Sequence, residues 1–346
     1  MVSEAERALT RHLGFAINRA SALDASWTTV HLIHAALRRR HIASVIESFD
    51  FEVDERGSVI ARAFSFTPPL RGRGAVLSAE HIAEALQQRT APRRYLRLNA
   101  LDTLLLRAAP LDTQLLSFAM LAWQAGVEVV NHPSGLMLAS PKTWLATLSD
   151  VPTPPTVITQ SRGVATMFYD RQRKPVIVKP AAGRAGRGVS LVRPRDAEAF
   201  SEAFALARGA DRHVVVQSYL REAEAGEKRV VMMDGEVLGA YLRVRAEGEF
   251  RHNLKQGGTA IATQLSATEL AVLASVAPHL RDAGIRLAGI DLIGHHVVEV
   301  NVVNPGGAFH AGRLTGVDIA SQIIDHLTTA TSQDLPRRTP WALPVR

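Results

Sequence analysis

The sequence predicts an α/β domain over about the first 130 residues, followed by a region of mixed α and β structure. Two observations lead to this prediction. Strand-like and helix-like segments alternate as far as Asn131, and short strand-like segments predominate from Val176 to Val303. Regular alternation of strands and helices is typical of a parallel sheet covered by helices, whereas separate runs of strands and helices are typical of α+β structure.

In the first region, hydrophobic spacing distinguishes helices from strands. Apolar residues recur at helical spacing in residues 27–40, while the short apolar runs on either side are strand-like. Residues 50–74 are polar and contain Pro and Gly, which predicts an irregular connection. The predicted strands are 12–20, 42–49, 96–107 and 127–131, and the predicted helices are 27–40 and 113–126.

The second region begins with a change of pattern at Asn131-His132-Pro133, and a Pro-rich run at 152–155 interrupts it again. Residues from Thr331 onward are polar and rich in Pro and Arg, so they are predicted to form a loosely held tail. The predicted strands are 176–179, 189–192, 214–217, 229–233, 237–243, 289–293 and 297–303, and the predicted helices are 142–148, 267–283 and 317–327.

Composition narrows the possible functions. The absence of cysteine excludes disulfides, thiolate nucleophiles and Cys-ligated zinc. The formal net charge of +7 suits either nucleic acid or small acidic substrates. No long basic run with interleaved aromatic residues is present, which favours small acidic ligands over nucleic acid. No apolar run has the length of a membrane span, and the acidic start is unlike a signal peptide, so we expect a cytoplasmic protein without a membrane partner.

A glycine-rich loop follows the predicted strand that ends at Lys179. It contains Gly183, Gly186 and Gly188 and leads into another strand, so it fits neither a P-loop nor a dinucleotide fingerprint, both of which open a helix. Glycines let backbone amides approach phosphate oxygens closely. A glycine-rich hairpin turn is the structural alternative. Lys179 favours the phosphate-binding interpretation, because a lysine among apolar strand residues needs an anionic partner.

A second motif places oxygen ligands on one predicted hairpin. A three-residue turn at 294–296 would pair Ile293 with Val297 and Asp291 with Glu299, and period two adds Asn301 to the same face. Carboxylate and amide oxygens suit Mg²⁺ held together with substrate phosphates. The alternative is a solvated face whose polar residues point outward. The adjacent His295-His296 pair is more typical of an exposed turn than of a metal site.

Three further segments are compatible with ligand binding, although each also reads as an ordinary loop or turn. Gln217, Tyr219 and Leu220 end a strand that could offer backbone groups to an adenine ring, and Glu227 could accept hydrogen bonds from ribose. The start of a strand holds Arg229, which suits a phosphoryl or carboxylate contact. The remaining two segments are the loop 249–259 and the turn 304–307, where glycines and Asn could bind an anion.

In this order, the segments resemble the ATP-grasp superfamily, and most closely the prokaryotic glutathione synthetases. The likeness extends from about Asn18 to Leu327, and the C-terminal motifs are the specific part. The metal hairpin at 289–302 resembles that of the family, and Lys142 and Lys179 lie where the family has two nucleotide-binding lysines. Looser similarity is found at 24–27, 106–107 and 110–112. The other matching segments are 217–220, 228–231, 251–254 and 257–258.

The resemblance implies a Rossmann-like pre-ATP-grasp domain (1–130), then a two-subdomain ATP-grasp fold (131–330, with a lid at about 150–216) and the tail 331–346. It implies a ligase that joins γ-glutamylcysteine to glycine with ATP and Mg²⁺ or Mn²⁺, in a homodimer or homotetramer. The implied roles are catalysis for Arg229 and Arg251, ATP binding for Lys142, Lys179, Gly183, Gly186, Gly188, Gln217, Tyr219, Leu220 and Glu227, substrate binding for Arg107, Asn253, Gly257, Gly258, Asn304, Gly306 and Gly307, and metal binding for Asp291, Glu299 and Asn301.

The chain departs from the family pattern in two places. Ala108-Ala109 replace an expected Lys-Asp pair beside Arg107, and residues 304–307 replace a Ser-Pro-Thr type ending. Both places lie near the substrates implied by the resemblance. A related ligase with a different amino-acid or peptide substrate is therefore one alternative, and an ATP-binding regulatory protein without ligase activity is another.

Overall fold

The structure, a computed structural model, describes residues 10–69, 74–182, 188–254 and 257–329. Gly183, Gly186 and the predicted tail from Thr331 lie outside these residues. Within the described residues, no helix is both long and apolar enough to cross a lipid bilayer.

The first sheet contains six strands and belongs to the N-terminal region. Their order is fourth, third, second, first, fifth, sixth along the chain. The first, second, fifth and sixth strands are parallel, whereas the third and fourth form an antiparallel edge. The elements are β1 (His12–Ile17), α1 (Thr28–Arg38), β2 (Ile42–Val53), β3 (Val59–Phe66), α2 (Ala79–Gln87), β4 (Arg93–Arg97), β5 (Thr103–Leu106), α3 (Thr113–Gln124) and β6 (Glu128–Val130).

The prediction of a parallel sheet is confirmed for β1, β2, β5 and β6, but the sheet also has an antiparallel edge. The polar stretch predicted as an irregular connection instead contains β3, because Asp54 organises a tight turn between β2 and β3. Its Oδ1 accepts hydrogen bonds from the backbone N–H of Arg56 and Ser58, and Gly57 adopts a φ of 77°. The single strand predicted over 96–107 was also wrong: β4 and β5 are separate strands with a 3₁₀ turn at Leu98–Ala100 between them.

Two short helices, α4 (Pro133–Ala139) and α5 (Lys142–Ala146), lead from the first sheet to a second sheet. The second sheet is fully antiparallel, and two helices that the sequence did not predict pack on it. Numbered along the chain, its four strands lie in the order first, fourth, second, third. The elements are β7 (Thr156–Thr159), α6 (Arg162–Arg171), β8 (Val176–Pro180), β9 (Ser190–Val192), α7 (Ala197–Asp211) and β10 (Val214–Ser218).

The third sheet is also antiparallel and carries the hairpin predicted to bind metal. Its order is β13-β12-β11-β14-β15, where β11 is Glu227–Met233, β12 is Glu236–Val244, β13 is Thr259–Ile261, β14 is Leu287–Ile293 and β15 is His296–Asn301. Asp291 lies opposite Glu299 as predicted, but Ile293 lies opposite His296 and not Val297. The turn has two residues because Gly294 adopts a φ of 57°, and a register shift after Asp291 compensates for the shorter turn.

Three helices complete the C-terminal part: α8 (Ala267–Asp282), α9 (Ala308–Thr315) and α10 (Ile319–Thr329). A capping box explains why α8 begins where it does, since Ser266 and Glu269 satisfy each other's backbone N–H groups. The closing helix begins two residues later than predicted, and α9 was not predicted. The sequence did not indicate the start of α9, because the two glycines before it, Gly306 and Gly307, are typical of a turn. Gly307 is the N-cap residue of α9, with a φ of 122°.

The hydrophobic core joins the first and third sheets and leaves the second apart. Two of three apolar clusters contain residues of both the N-terminal sheet and the C-terminal sheet. The third cluster contains only residues between Ala165 and Val216. Asn131 reinforces the connection, since its side chain bonds the backbone of Arg286, Leu287 and Val302 at 2.7 to 2.9 Å. The second sheet is therefore a separately packed unit, although the predicted domain limits stay predictions.

Candidate active site

A cavity of about 870 Å³ is lined by residues of all three sheets. It brings together predicted site residues that lie far apart in the sequence. Asp291, Gly188, Gly257 and Gly258 do not line it. Those that do are Arg107, Lys142, Lys179, Gln217, Tyr219, Leu220, Glu227, Arg229, Arg251, Asn253, Glu299, Asn301, Asn304, Gly306 and Gly307.

Two of the predicted nucleotide-binding residues, Lys179 and Gln217, form a hydrogen-bonded row with Thr156 across the second sheet. The ammonium of Lys179 donates to Oε1 of Gln217 at 3.1 Å, and the amide of Gln217 donates to Oγ1 of Thr156 at 2.9 Å. Burial, reinforced by the charge of Lys142, lowers the pKa of Lys179 to about 8. No carboxylate among the described residues contacts the Lys179 ammonium, so this cation in the cavity wall is suited to an incoming anion.

Lys142, the first residue of α5, contacts the predicted metal hairpin. Its ammonium lies 3.0 Å from Oε1 of Glu299. Burial would raise the pKa of Glu299, but Lys142 and Lys179 outweigh that effect and lower the pKa to about 2. Glu299 is therefore ionised at neutral pH and faces the cavity with Asn301.

Asp291 is buried behind the cavity and bound by two arginines. Arg229 donates to both of its oxygens, at 2.5 and 2.9 Å, and a terminal nitrogen of Arg243 lies 2.7 Å from Oδ1. The amide of Asn301 donates to Oδ2 at 3.1 Å. The Asp291 side chain is only 2% exposed. It holds Arg229, Arg243 and Asn301 in place, and its predicted role as a direct metal ligand stays a prediction.

Glu227 completes a concentration of negative charge. It pairs with Arg243, and burial together with the charges of Asp291 and Glu299 raises its pKa to about 7 despite that arginine. Glu227, Asp291 and Glu299 thus bring three carboxyl groups close together. Carboxylate and amide oxygens of this kind are hard ligands. The residues present therefore fit a divalent cation at Glu299 and Asn301.

Arg107 also lines the cavity and is buried without a counter-ion among the described residues. Its guanidinium donates to Oγ1 of Thr29 at 3.2 Å and to the carbonyl oxygen of Pro305 at 3.1 Å, and within the described residues no carboxylate pairs with it. Burial lowers its pKa to about 9, so it remains charged at neutral pH. A buried cation with only neutral partners favours the approach of an anionic group.

The loop predicted to bind substrate is organised by its own contacts. Arg251 pairs with Glu249 through Nε at 3.0 Å, so its guanidinium is directed by that carboxylate. Asn253 lines the cavity. A side chain at position 258 would lie 2.6 Å from the carbonyl oxygen of His252, and Gly257 has a φ of 86°. These two glycines thus have a structural reason to be glycine.

The turn before α9 contacts both Arg107 and Arg229 through its backbone carbonyl groups. Gly307 lies against the side chains of Arg229 and Tyr241, and a terminal nitrogen of Arg229 donates to the carbonyl oxygen of Gly306 at 3.2 Å. Asn304 adopts a φ of 47°, which turns the chain toward α9. Arg229 is consequently held from two directions, by Asp291 and by this turn.

Several cavity residues were not predicted. Arg243 could have been found, because the antiparallel register of β11 and β12 places it opposite Glu227. Phe309 and His310 could not, because α9 itself was hidden by the glycines before it. Other unpredicted residues with functional groups or aromatic rings on the cavity wall include Arg19, Trp27, Thr29, Tyr241 and His252.

Comparisons with known proteins point in one direction. Residues 142–316 match the model of the ATP-grasp domain of prokaryotic glutathione synthetase, and residues 12–137 match the model of its N-terminal domain. The glutathione synthetase of Gloeobacter violaceus is 30% identical over 320 residues, which is 90% of this chain and 94% of that protein. A glutathione synthetase of Synechococcus elongatus is 37% identical over 205 residues, or 59% of this chain and 63% of that protein.

The chain thus spans less than two thirds of the length of several curated relatives that it matches. Among solved structures, D-cycloserine synthetase DcsG has a TM-score of 0.64 at 15% identity and covers 92% of this chain and 99% of its own. This likeness concerns the fold alone.

Proposed function

The chain belongs to the prokaryotic glutathione synthetase family, with the ATP-grasp fold, and we propose that it is an ATP-dependent ligase that joins a carboxylate to an amine. The observation that supports this proposal is the shared cavity. Lys142, Lys179 and Gln217, which suit a nucleotide, line the same space as Arg107 and the 304–307 turn, which suit an acid and an amine.

The proposed chemistry follows from the low reactivity of a carboxylate toward an amine. Transfer of the γ-phosphoryl group of ATP to the carboxylate gives an acyl phosphate, which an amine attacks with loss of phosphate. Such phosphoryl transfer needs positioning and charge neutralisation. In this proposal, Lys142 and Lys179 hold the phosphates, Arg229 and Arg251 stabilise the transferring group and the oxyanion, and Gly183, Gly186 and Gly188 cover the phosphates and exclude water.

The same proposal includes Mg²⁺ or Mn²⁺ as the cofactor. Glu299 and Asn301 would hold it, with Asp291 as a further candidate once its arginines are drawn toward phosphate. When bound, the cation would supply neutralisation of the negative charge on the β- and γ-phosphates. Gln217, Tyr219, Leu220 and Glu227 are proposed to hold the adenosine part of ATP.

For the substrates we propose γ-glutamylcysteine as the acid and glycine as the amine, in keeping with the family. Arg107 supports an anionic substrate group, because it is buried without a counter-ion. Asn253, Gly257, Gly258, Asn304, Gly306 and Gly307 are the proposed remaining contacts. Ala108-Ala109 support the alternative of a different amino-acid or peptide substrate. Because the reaction consumes ATP, we propose a cytoplasmic location, and we propose a homodimer or homotetramer as in the resemblance.

The test is phosphate release from Mg·ATP, measured with γ-glutamylcysteine plus glycine and with a panel of other acid and amine pairs. We expect release that requires both substrates, with the ligated product identified by mass. Release with another acid and amine pair would support the proposed ligase activity and show that the substrates differ from those proposed. Glu299→Gln should abolish release, whereas Glu236→Gln, at an exposed position, should not. ATP binding without release for any pair would favour a regulatory nucleotide-binding protein.

A further inference from the structure

His310 is an imidazole on the cavity wall that the proposed chemistry has not yet used. It lies in the first turn of α9, three residues after the N-cap Gly307, and lines the cavity. Its ring packs against Tyr241 with centroids 5.6 Å apart and against Phe309 at 5.3 Å. Within the described residues, neither ring nitrogen has a hydrogen-bond partner, and neither is among the buried polar atoms. The ring is held in place while its nitrogens stay accessible.

Among the described residues of the wall, the other carboxylates and the other imidazole are engaged. Glu227 is paired with Arg243, and Glu299 is paired with Lys142. His252 is 5% exposed, and its Nε2 lies 2.7 Å from the carbonyl oxygen of Ala223. Within the described part of the chain, His310 is therefore the accessible imidazole on this cavity wall whose ring nitrogens have no hydrogen-bond partner.

The surroundings of His310 favour its neutral form. Burial lowers its pKa, and the charge of Arg313 on the same helix lowers it further. From the third sheet, Tyr241 and Arg229 face this turn. From α1, His31 stacks on Phe309, with His34 nearby. The acids beside α10, Asp318 and Asp325, are paired with Arg38 and Arg39, and His326 with Asp234. No free carboxylate among these groups would hold a proton on the ring.

We propose that His310 is the general base that removes a proton from the ammonium of the amine substrate. This inference depends on the proposed ligase function. An imidazole nitrogen takes the proton, so the amine nitrogen carries a free electron pair. That pair forms the C–N bond at the acyl phosphate carbon, and the C–O bond to phosphate breaks with its electrons leaving on phosphate. As the C–O bond breaks, the nitrogen loses its second proton to the departing phosphate, which leaves as hydrogen phosphate. The first proton passes from His310 to solvent.

Two nucleophiles distinguish this role from simple positioning. Glycine is an ammonium ion at neutral pH and needs a base, whereas hydroxylamine is already uncharged and traps an acyl phosphate as a coloured hydroxamate without one. We expect His310→Gln to lower kcat/KM for glycine by about 100-fold at pH 7 and to change hydroxamate formation by less than about twofold. Above the pKa of His310, the wild-type rate should level off, while the variant rate should rise about tenfold per pH unit with free amine.

His34→Gln is the matched control, because His34 lies outside the cavity lining and that variant should keep the plateau. If His310→Gln keeps the wild-type plateau, or loses hydroxamate formation as severely as ligation, His310 is not the base. If the wild-type protein gives neither ligation nor hydroxamate with any acid of the panel, the proposed function fails first, and the role of His310 fails with it.

Discussion

At the scale of single residues, Lys179 gives the cavity a pH-dependent charge. Its pKa is lowered to about 8, chiefly by burial and then by Lys142. The protonated form attracts phosphate, and the neutral form does not. The free protein therefore loses this attraction as the pH rises through about 8, and nucleotide affinity should fall over the same range rather than at lower pH.

The measurement is the Kd of ADP between pH 6.5 and 9.5. For the wild-type protein we expect a constant Kd below pH 8 and a rise approaching tenfold per pH unit above it. Lys179→Arg stays charged throughout and should remove the rise, whereas Lys174→Gln, an exposed site outside the cavity lining, should keep it. A wild-type Kd that is constant to pH 9.5 would contradict the pKa or the contact with phosphate.

Asp291 gives a second prediction at this scale, about stability. Its carboxylate neutralises two buried guanidinium groups, those of Arg229 and Arg243. Asp291→Asn should lower the free energy of unfolding by about 3 to 5 kcal/mol, because two charges lose their buried partner. Urea unfolding measures this, with Asp150→Asn, whose pair with His279 is exposed, as the unaffected control. Increased stability would instead indicate that Asp291 mainly repels Glu227 and Glu299 without a cation.

The sequence singled out several of the cavity residues because their chemistry contrasts with that of their neighbours. Lys179, Glu299 and Asn301 are polar residues inside apolar strands, and such residues need a partner or a ligand. Trp27 and His310 gave no such contrast, since they lie in ordinary amphipathic or turn-like surroundings. The ion pair between Asp291 and Arg243 could also not be predicted from the sequence, because it depends on the register of three strands.

At the scale of elements, helix α4 fits against the end of α8 only because it contains Gly135. A Cβ at this position would lie 1.9 Å from the carbonyl oxygen of Ala283. Gly163, in helix α6, meets nothing closer than 3.8 Å. Both glycines are helical, so replacement by alanine changes helix propensity in the same direction at the two positions. The positions differ in the space available for the added methyl group.

We expect Gly135→Ala to destabilise the protein by about 1 to 3 kcal/mol, because backbone must move to accept the methyl group. Gly163→Ala should be neutral or stabilising by up to about 1 kcal/mol, since alanine favours a helix. Thermal unfolding of both variants tests the contrast. Equal effects at the two sites would mean that α4 can shift away from Ala283 without cost.

Elements were predictable where one periodicity dominated. The helix predicted over 267–283 corresponds to α8, and the strands of the third sheet follow their apolar runs. Elements with mixed composition were missed: β3 is interrupted by Arg62 and Ser65, and α9 follows two glycines. In both cases tertiary contacts supply the stability that the local sequence does not, with β3 paired on both sides and α9 packed on β12.

At the scale of the whole molecule, the three sheets are not equally connected. The first and third share two apolar clusters and the side-chain bonds of Asn131. Arg286 adds a charged connection, with ion pairs to Glu128 of β6 and Asp234 of the β11–β12 turn. The second sheet, with α6 and α7, has a small cluster of its own. This difference could not be predicted from the sequence, because it depends on which sheets share a core in the folded chain.

The uneven connection predicts uneven protection of backbone amides. A unit with its own small core can open without disturbing the rest, so amides of β8 and β10 should exchange hydrogen faster than those of β1 and β14. Hydrogen exchange followed by mass spectrometry measures this in the free protein. Because Lys179 and Gln217 on these strands line the cavity, ADP should slow exchange in β8 and β10 more than in β1. Identical protection in all four strands, with or without ADP, would mean that the three sheets open as one unit and that the nucleotide does not bridge them.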